Sequence, residues 1–251
     1  MLTGGSTSAD GGAAPGLFGR RENNSVNYDS PTFGGFQLMV STSATNTATS
    51  ATTAQVAAKP RLWSLGGTYA NGPLNIAAGY EQHSDFSPAG VPFSGRDKGW
   101  HLSGGYVVGP VKLGAIYTRQ KFEPSPGTDL QVNVWQLAAD WHIVGPHGLR
   151  AAWTHAGDTS GNYSVVQPLG GAGVGIAGGG SVRVANGGAG GTGATLWQIH
   201  YVDTLSKRTE ATVGYARLDN KNNASYALGG LSTPAQGTDQ SVWGVTMRHR
   251  F

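Results

Sequence analysis

The sequence predicts an all-β fold, a transmembrane antiparallel β-barrel, on three observations. Apolar residues recur at every second position through most of the chain, charge is scarce without hydrophobicity being high, and short connections alternate with long ones. The clearest instance of the first runs from Gln240 to Phe251. Trp243, Val245, Met247, His249 and Phe251 share one face there, and Val242, Gly244, Thr246, Arg248 and Arg250 the other. Period two marks a strand whose two sides meet different surroundings. An apolar face with aromatics near both ends, backed by glycine, threonine and arginine, suits lipid on one side and water on the other.

Composition supports the second observation. Charged residues are 12% of 251 positions, about half the ~25% of soluble globular chains. Hydrophobic residues reach only 38%, mean hydropathy is -0.25, and no run approaches the ~18 apolar residues of a membrane helix. A transmembrane barrel combines these values because only alternate residues meet lipid. Cysteine is absent, which removes disulfides and thiolate metal sites. A net charge of +3, scattered along the chain, argues against nucleic acid as a partner. The opening Met1-Leu-Thr-Gly-Gly-Ser6 has neither the basic stretch nor the apolar core of a signal peptide. For an outer-membrane chain, the expectation is that an N-terminal part precedes it or was removed in processing.

The elements follow in order. Residues 1–19 are rich in Gly and Ala and read as loop. Val26 and Tyr28 alternate with Arg21, Asn23, Ser25, Asn27 and Asp29, and Pro31-Thr-Phe-Gly-Gly35 turns the chain into Phe36, Leu38 and Val40. A polar Thr/Ser/Ala stretch fills about 42–58. Trp63, Leu65, Gly67 and Tyr69 then descend, Asn71-Gly-Pro73 turns, and Leu74, Ile76, Ala78 and Tyr80 return to a loop near 84–96. Trp100, Leu102, Gly104 and Tyr106 repeat the pattern before Gly109-Pro110, followed by Val111, Leu113, Ala115 and Tyr117. A loop near 121–129 leads to Trp135, Leu137, Ala139, Trp141 and Ile143, with a predicted turn at Gly145-Pro-His-Gly148. Leu149, Ala151 and Trp153 climb to the longest loop, about 158–192. Trp197, Ile199 and Tyr201 descend, Leu205-Ser-Lys-Arg-Thr209 turns, and Ala211, Val213 and Tyr215 ascend to a loop near 219–238 before the last strand. That makes about eleven strands of roughly ten residues, the length that crosses a bilayer when tilted. With the C-terminus on the periplasmic side, every short turn falls there and every long loop outside. A soluble β-sandwich also alternates, but its wet face would be rich in Lys and Glu, where this one is mostly Gly, Ser, Asn, Gln and Ala.

Three stretches resemble a known family. Arg21-Glu-Asn-Asn-Ser-Val-Asn-Tyr-Asp-Ser-Pro-Thr-Phe-Gly-Gly-Phe36 is similar to a motif of general Gram-negative porins of the β-proteobacterial type. Tyr201-Val-Asp-Thr-Leu-Ser-Lys-Arg-Thr209 resembles a turn of the same family, and Arg248-His-Arg-Phe251 its terminus. The resemblance covers nearly the whole chain from Arg21 onward. It implies a homotrimeric, water-filled barrel of about sixteen strands, in outer-membrane lipid, passing small hydrophilic solutes and ions, with no cofactor and no catalysis. It further implies that the barrel-assembly machinery reads the strand ending in Phe251. Residues 1–20 correspond to the remnant of an inward-folded constriction loop, and 21–251 to the C-terminal barrel strands with five long external loops. The parity of the strand count agrees. An odd number whose first member descends from outside cannot close with both ends in the periplasm, so an N-terminally truncated chain is expected.

The expected pore-lining residues are Arg20, Arg21, Asn23, Ser25, Asn27, Asp29, Glu81, Lys112, Arg150 and Arg248. Asp140 and Glu210 share their face. The resemblance implies that Arg21 belongs to a basic constriction wall, and any anion preference rests on it and Arg20. Charges opposed across a narrow pore make a transverse field. The expected membrane-interface aromatics are Tyr28, Tyr69, Tyr80, Trp100, Tyr106, Trp135, Trp141 and Phe251. Chemistry beyond a pore has little to work with. Gly170–Gly193 suggests a phosphate cradle but lacks the Lys-Ser/Thr that would follow. Asp140 with His142, which share the predicted lumen face, and His155 with Asp158 are acid–base pairs of the kind an outer-membrane hydrolase could use, but neither has a nucleophile motif beside it. No three ligands fall at metal-binding spacing.

Overall fold

The computed structural model describes residues 24–44, 61–84, 96–123, 127, 129–162, 190–229, 231 and 234–250. Its strands are β1 (Ser25–Asp29), β2 (Phe36–Ala44), β3 (Arg61–Asn71), β4 (Leu74–Ser84), β5 (Arg96–Val108), β6 (Val111–Phe122), β7 (Leu130–Val144), β8 (His147–Ala156), β9 (Ser160–Gly161), β10 (Ala194–Ser206), β11 (Thr209–Asn220) and β12 (Gln240–His249). All belong to one antiparallel meander in sequence order, except that the two-residue β9 pairs only with β7. Each strand hydrogen-bonds the next, so no crossover is needed and the backbone groups are satisfied by sequence neighbours. Among the described residues, β1 and β12 each have one paired side.

Register shows how the alternation becomes two surfaces. Tyr28, Val40, Leu65, Tyr80, Trp100 and Arg119 stand opposite one another strand by strand. On this face Trp100, Trp135 and Trp243 are 55%, 50% and 74% exposed, which a sandwich interior would forbid. The predicted apolar face is therefore an outer surface meeting lipid. Toward the loop end it carries Trp63, Tyr80, Trp100, Tyr117 and Trp135. Ring centroids lie 5.0 Å apart for Trp63–Tyr80 and 4.3 Å for both Tyr80–Trp100 and Tyr117–Trp135, within the range of favourable aromatic pairs. Six residues on, ~20 Å along a strand, a second belt begins with Tyr69, Tyr106 and Trp141. Between the belts lie residues such as Leu65, Leu102 and Leu137. Two aromatic belts around an apolar band are what a sheet needs to sit in a bilayer.

The turns are tighter than the sequence suggests. Gly72, Gly109 and Gly145 have φ of 53°, 54° and 57°, and a proline follows each. A glycine with positive φ at the first central position belongs to the primed turns whose twist matches the flanking strands. The predicted Gly145–Gly148 turn shrinks to Gly145-Pro146, because His147 and Gly148 pair as part of β8. The Leu205–Thr209 turn likewise shrinks to Lys207-Arg208, with Ser206 opposite Thr209. At the loop end, β2 continues to Ala44, into the stretch read as loop.

Gly35 sits at φ 87°, and a Cβ there would run into the carbonyl oxygen of Ala70, whereas one at Gly72 would meet open space. Gly35→Ala is expected to cost about 2 kcal/mol, since the left-handed region alone costs a non-glycine residue roughly 1–2 kcal/mol. Gly72→Asn is expected to cost well under about 1 kcal/mol. Thermal loss of the compact band in unheated gels measures both.

Candidate pore lining

The face opposite the aromatic belts carries the polar half of each strand. Of the expected lining residues, Ser25, Asn27, Asp29, Glu81, Lys112, Arg150 and Arg248 all project from it, as the register requires. Arg20, Arg21 and Asn23 lie outside the described residues, as do Phe251, residues 1–20 and most of the Gly170–Gly193 run. Near the turn end, successive strands bring Lys112, Asp140, Arg150 and His200 opposite one another. Arg150 is the centre of this group. Its Nε donates to Asp140 Oδ2 at 3.3 Å and its Nη1 to Glu210 Oε1 at 3.4 Å, reaching across β10 to do so. Glu210 in turn stands opposite Arg248. Charge alternates in sign across β6, β7, β8, β11 and β12. The His200 ring lies over Gly214, and a Cβ at 214 would collide with it.

Near the loop end the same face holds Glu81 and His83, with His83 Nε2 2.6 Å from Glu81 Oε1. Buried Asp97 stands opposite His83 in register and accepts the backbone N–H of Glu123 at 2.9 Å. His83 and Asp97 were missed in the sequence because both lie against a predicted loop. Their parity with Glu81 is the signal that would have found them.

The largest departure is at the external end of β7, β8, β10 and β11. There the inner face stops being polar and presents Leu130, Val132, Val134, Ala156, Ala194, Leu196, Ala216 and Leu218. These residues form the one hydrophobic core of the described chain together with Ala224, Tyr226 and Leu228. The stretch after β11 thus folds inward over the inner wall. Asn220 holds it there: its Nδ2 donates to the carbonyls of Tyr226 (3.0 Å) and Thr238 (2.8 Å), and its Oδ1 accepts the Tyr226 N–H at 2.9 Å. Burial pushes the Tyr226 hydroxyl pKa up. At the base, Lys221 Nζ lies 3.1 Å from both Asp158 oxygens, and the Gly193 N–H donates to Asp158 Oδ1 at 2.8 Å. Burial raises the Asp158 pKa, but Lys221 and the Gly191 and Gly193 amides outweigh it and hold the carboxyl below its ordinary range.

The acid–base pairs considered in the sequence do not assemble. Asp140 is held by Arg150. His155 projects from the outer face and bonds Thr195 through Nδ1 at 2.9 Å, while Asp158 is held by Lys221.

A continuous antiparallel sheet, greasy and ring-banded on one side and wet and charged on the other, defines a membrane protein that crosses with strands. The chain belongs to the Gram-negative porin family, which matches residues 2–223, and is thus an outer-membrane protein of a class that forms channels rather than catalyses reactions. It is similar in structure to an anion-selective porin from Comamonas acidovorans, with TM-score 0.70, 23% identity, and coverage of 95% of this chain and 64% of that one. It is also similar to OmpT of Vibrio cholerae, in vitro folded (TM-score 0.59, 13% identity, 90% of this chain, 63% of that one) and outer-membrane expressed (TM-score 0.56, 13% identity, 90% and 64%). The chain therefore spans just under two thirds of the length of these structures. No curated protein matches.

Two outcomes follow. Tyr226→Ala removes the largest fully buried side chain among the described residues and is expected to destabilise the inward stretch by about 3 kcal/mol, read as faster tryptic cleavage after Lys221. The depressed Asp158 carboxyl adds stability that is in full force at neutral pH and is lost as pH falls below about 4. Because the pair is largely exposed, its share is roughly 0.5 kcal/mol. Protection of the Gly193 amide from hydrogen exchange is expected to fall about twofold to threefold in Asp158→Asn at neutral pH, and in the native protein on acidification.

Proposed function

We propose that this protein forms the wall of a water-filled outer-membrane channel that passes small hydrophilic solutes and ions by diffusion. The observation that carries the reading is the inner face. Its mid-section is mostly Gly, Ser, Thr, Asn, Gln and Ala, with charges of alternating sign toward the turn end, while the opposite face is committed to lipid. Such a wall selects by width and field rather than by reaction. The unpaired sides of β1 and β12 belong to further strands of the working channel, since a bare backbone edge in hydrocarbon costs several kcal/mol per group. In this reading residues 1–20 form part of a constriction loop, and Arg20, Arg21 and Asn23 stand with Ser25, Asn27 and Asp29 along the lining. A homotrimer, and recognition of the strand ending in Phe251 by the barrel-assembly machinery, belong to the same reading.

Along the described inner face the cations Lys112, Arg150 and Arg248 face a larger set of carboxylates, Asp29, Glu81, Asp97, Asp140 and Glu210. An anion preference, the property named for the Comamonas acidovorans porin, rests here on Arg20 and Arg21. The test is conductance in planar bilayers of the working channel, this chain joined to the further strands that pair with β1 and β12, where stepwise ohmic currents are expected and a flat baseline in a folded, inserted preparation overturns the reading. Arg150→Gln frees Asp140 and Glu210 together, and its reversal potential in a salt gradient is expected to move toward cation selectivity. Arg21→Ala is expected to move it the same way.

A further inference from the structure

The short turns differ from one another in charge. Those between β1 and β2, β3 and β4, β5 and β6, and β7 and β8 contain no Lys, Arg, Asp or Glu, as in Gly72-Pro73, Gly109-Pro110 and Gly145-Pro146. The turn between β10 and β11 is Lys207-Arg208. A connection at the water needs no charge to close, as the neutral turns show. The dibasic turn is also held in shape. Ser206 Oγ accepts the Arg208 N–H at 3.2 Å and donates to Thr209 Oγ1 at 3.0 Å, and Thr209 Oγ1 lies 2.9 Å from His249 Nδ1. The turn is thereby fastened to the end of β12, where the Arg250 N–H donates to the Arg208 carbonyl at 2.9 Å.

That fastening sets Arg250 beside Arg208 on the adjacent strand end, with Arg248 two residues further in. Lys207, Arg208, Arg248 and Arg250 are all exposed, and among the described residues no carboxylate pairs with any of them. The neighbouring carboxylates face other partners: Glu210 meets Arg150 at 3.4 Å, and Asp203 lies 3.9 Å from His147. Farther along the inner face Lys112, Asp140 and Arg150 stand opposite one another with alternating sign. At this corner the alternation stops. Like charges side by side on neighbouring strands cost stability, a cost absent from the neutral turns. Arg248 projects from the inner face, and Arg250 follows it at the same parity. The cations therefore sit at the wet rim of the turn end, away from the lipid.

We propose that this corner docks an extended acidic segment of a periplasmic protein, whose carboxylates are taken by Lys207, Arg208 and Arg250. The proposal rests on the short turns lying in the periplasm and not on conduction. From Arg248 to the tip of the turn the cations spread over ~10 Å, three residues of strand rise. A single small anion meets one or two of them. Alternate side chains of an extended peptide recur every ~7 Å, so acidic residues on one side of it meet the whole row. The guanidinium fork matches a carboxylate in two hydrogen bonds. Exposed charges of this kind speed and steer encounter more than they tighten it, so the contact is rapid and sensitive to salt.

The test is fluorescence anisotropy of a labelled peptide of alternating Glu and Ser, titrated with the purified chain in uncharged detergent at low salt. The same peptide with Gln for Glu, citrate, and soluble cell-wall fragments are measured beside it. The acidic peptide is expected to bind, and its Gln counterpart to bind at least about tenfold more weakly. The triple variant Lys207→Gln/Arg208→Gln/Arg250→Gln should weaken the acidic peptide by about tenfold, and raising salt to ~0.15 M should weaken it in the native protein. The exchange Lys207→Arg/Arg208→Lys/Arg250→Lys keeps the charge and should keep binding, which separates lost recognition from misfolding. Lys98→Gln/Lys121→Gln, at the opposite end of the sheet, should change nothing. Acidic-peptide affinity that survives the triple Gln variant overturns the proposal. So does citrate that displaces the peptide at equal concentration, the mark of a small-anion site, and so do cell-wall fragments that bind more tightly than the peptide. Bilayer current of the working channel reads the pore separately: intact current without peptide binding sinks this site alone, and binding without current sinks the channel alone.

Discussion

Every backbone amide and carbonyl in a lipid-embedded strand must find a partner, because hydrocarbon offers none. That constraint organises the structure. It is met by pairing each strand with its sequence neighbour, from β1 to β12, with β9 off the path. Once the backbone is so committed, side chains can only go to one face or the other. A change of one position in register would send Trp100 and Leu102 into water and His101 and Ser103 into lipid. The X-Gly-Pro turns serve the same end. A connection of two residues leaves no freedom to slip, and the glycine φ supplies the twist that adjacent strands need.

The inner face is laid down by the same ladder. Its mid-strand positions are mostly small or polar. Arg150 then ties β7, β8 and β11 together electrostatically, with carboxylates at 3.3 and 3.4 Å, and contributes a local field more than stability, since exposed pairs of this kind are worth about 1 kcal/mol or less. At the external end the alternation serves another purpose. Val132, Leu196 and Leu218 are on the inner face yet buried, because Tyr226 and Leu228 cover them. Part of the wall is thereby a small packed core, covered by a stretch of chain outside the sheet.

The outer face is not uniform either. At Gly67 the Phe36 ring lies against the place a Cβ would take, and beside Ala78 a hollow opens under Trp100 and Arg119. Both faces illustrate one rule. A repeating pattern positions residues, and the departures from it mark where something specific is held.

By itself the sequence determined the strand count, the order of the elements, the sidedness of nearly every aromatic and the location of Glu81, Lys112, Arg150 and Arg248 on the wet face. Period two is local physics, legible wherever a strand has unlike surroundings. It could not determine that Arg150 reaches Glu210, that His83 meets Asp97, or that Tyr226 is buried, because each depends on residues brought together by register or by a loop with no period. It overestimated the length of the Gly145–Gly148 turn for the same reason. Alternation says which side a residue faces, and only the folded chain says what stands opposite it.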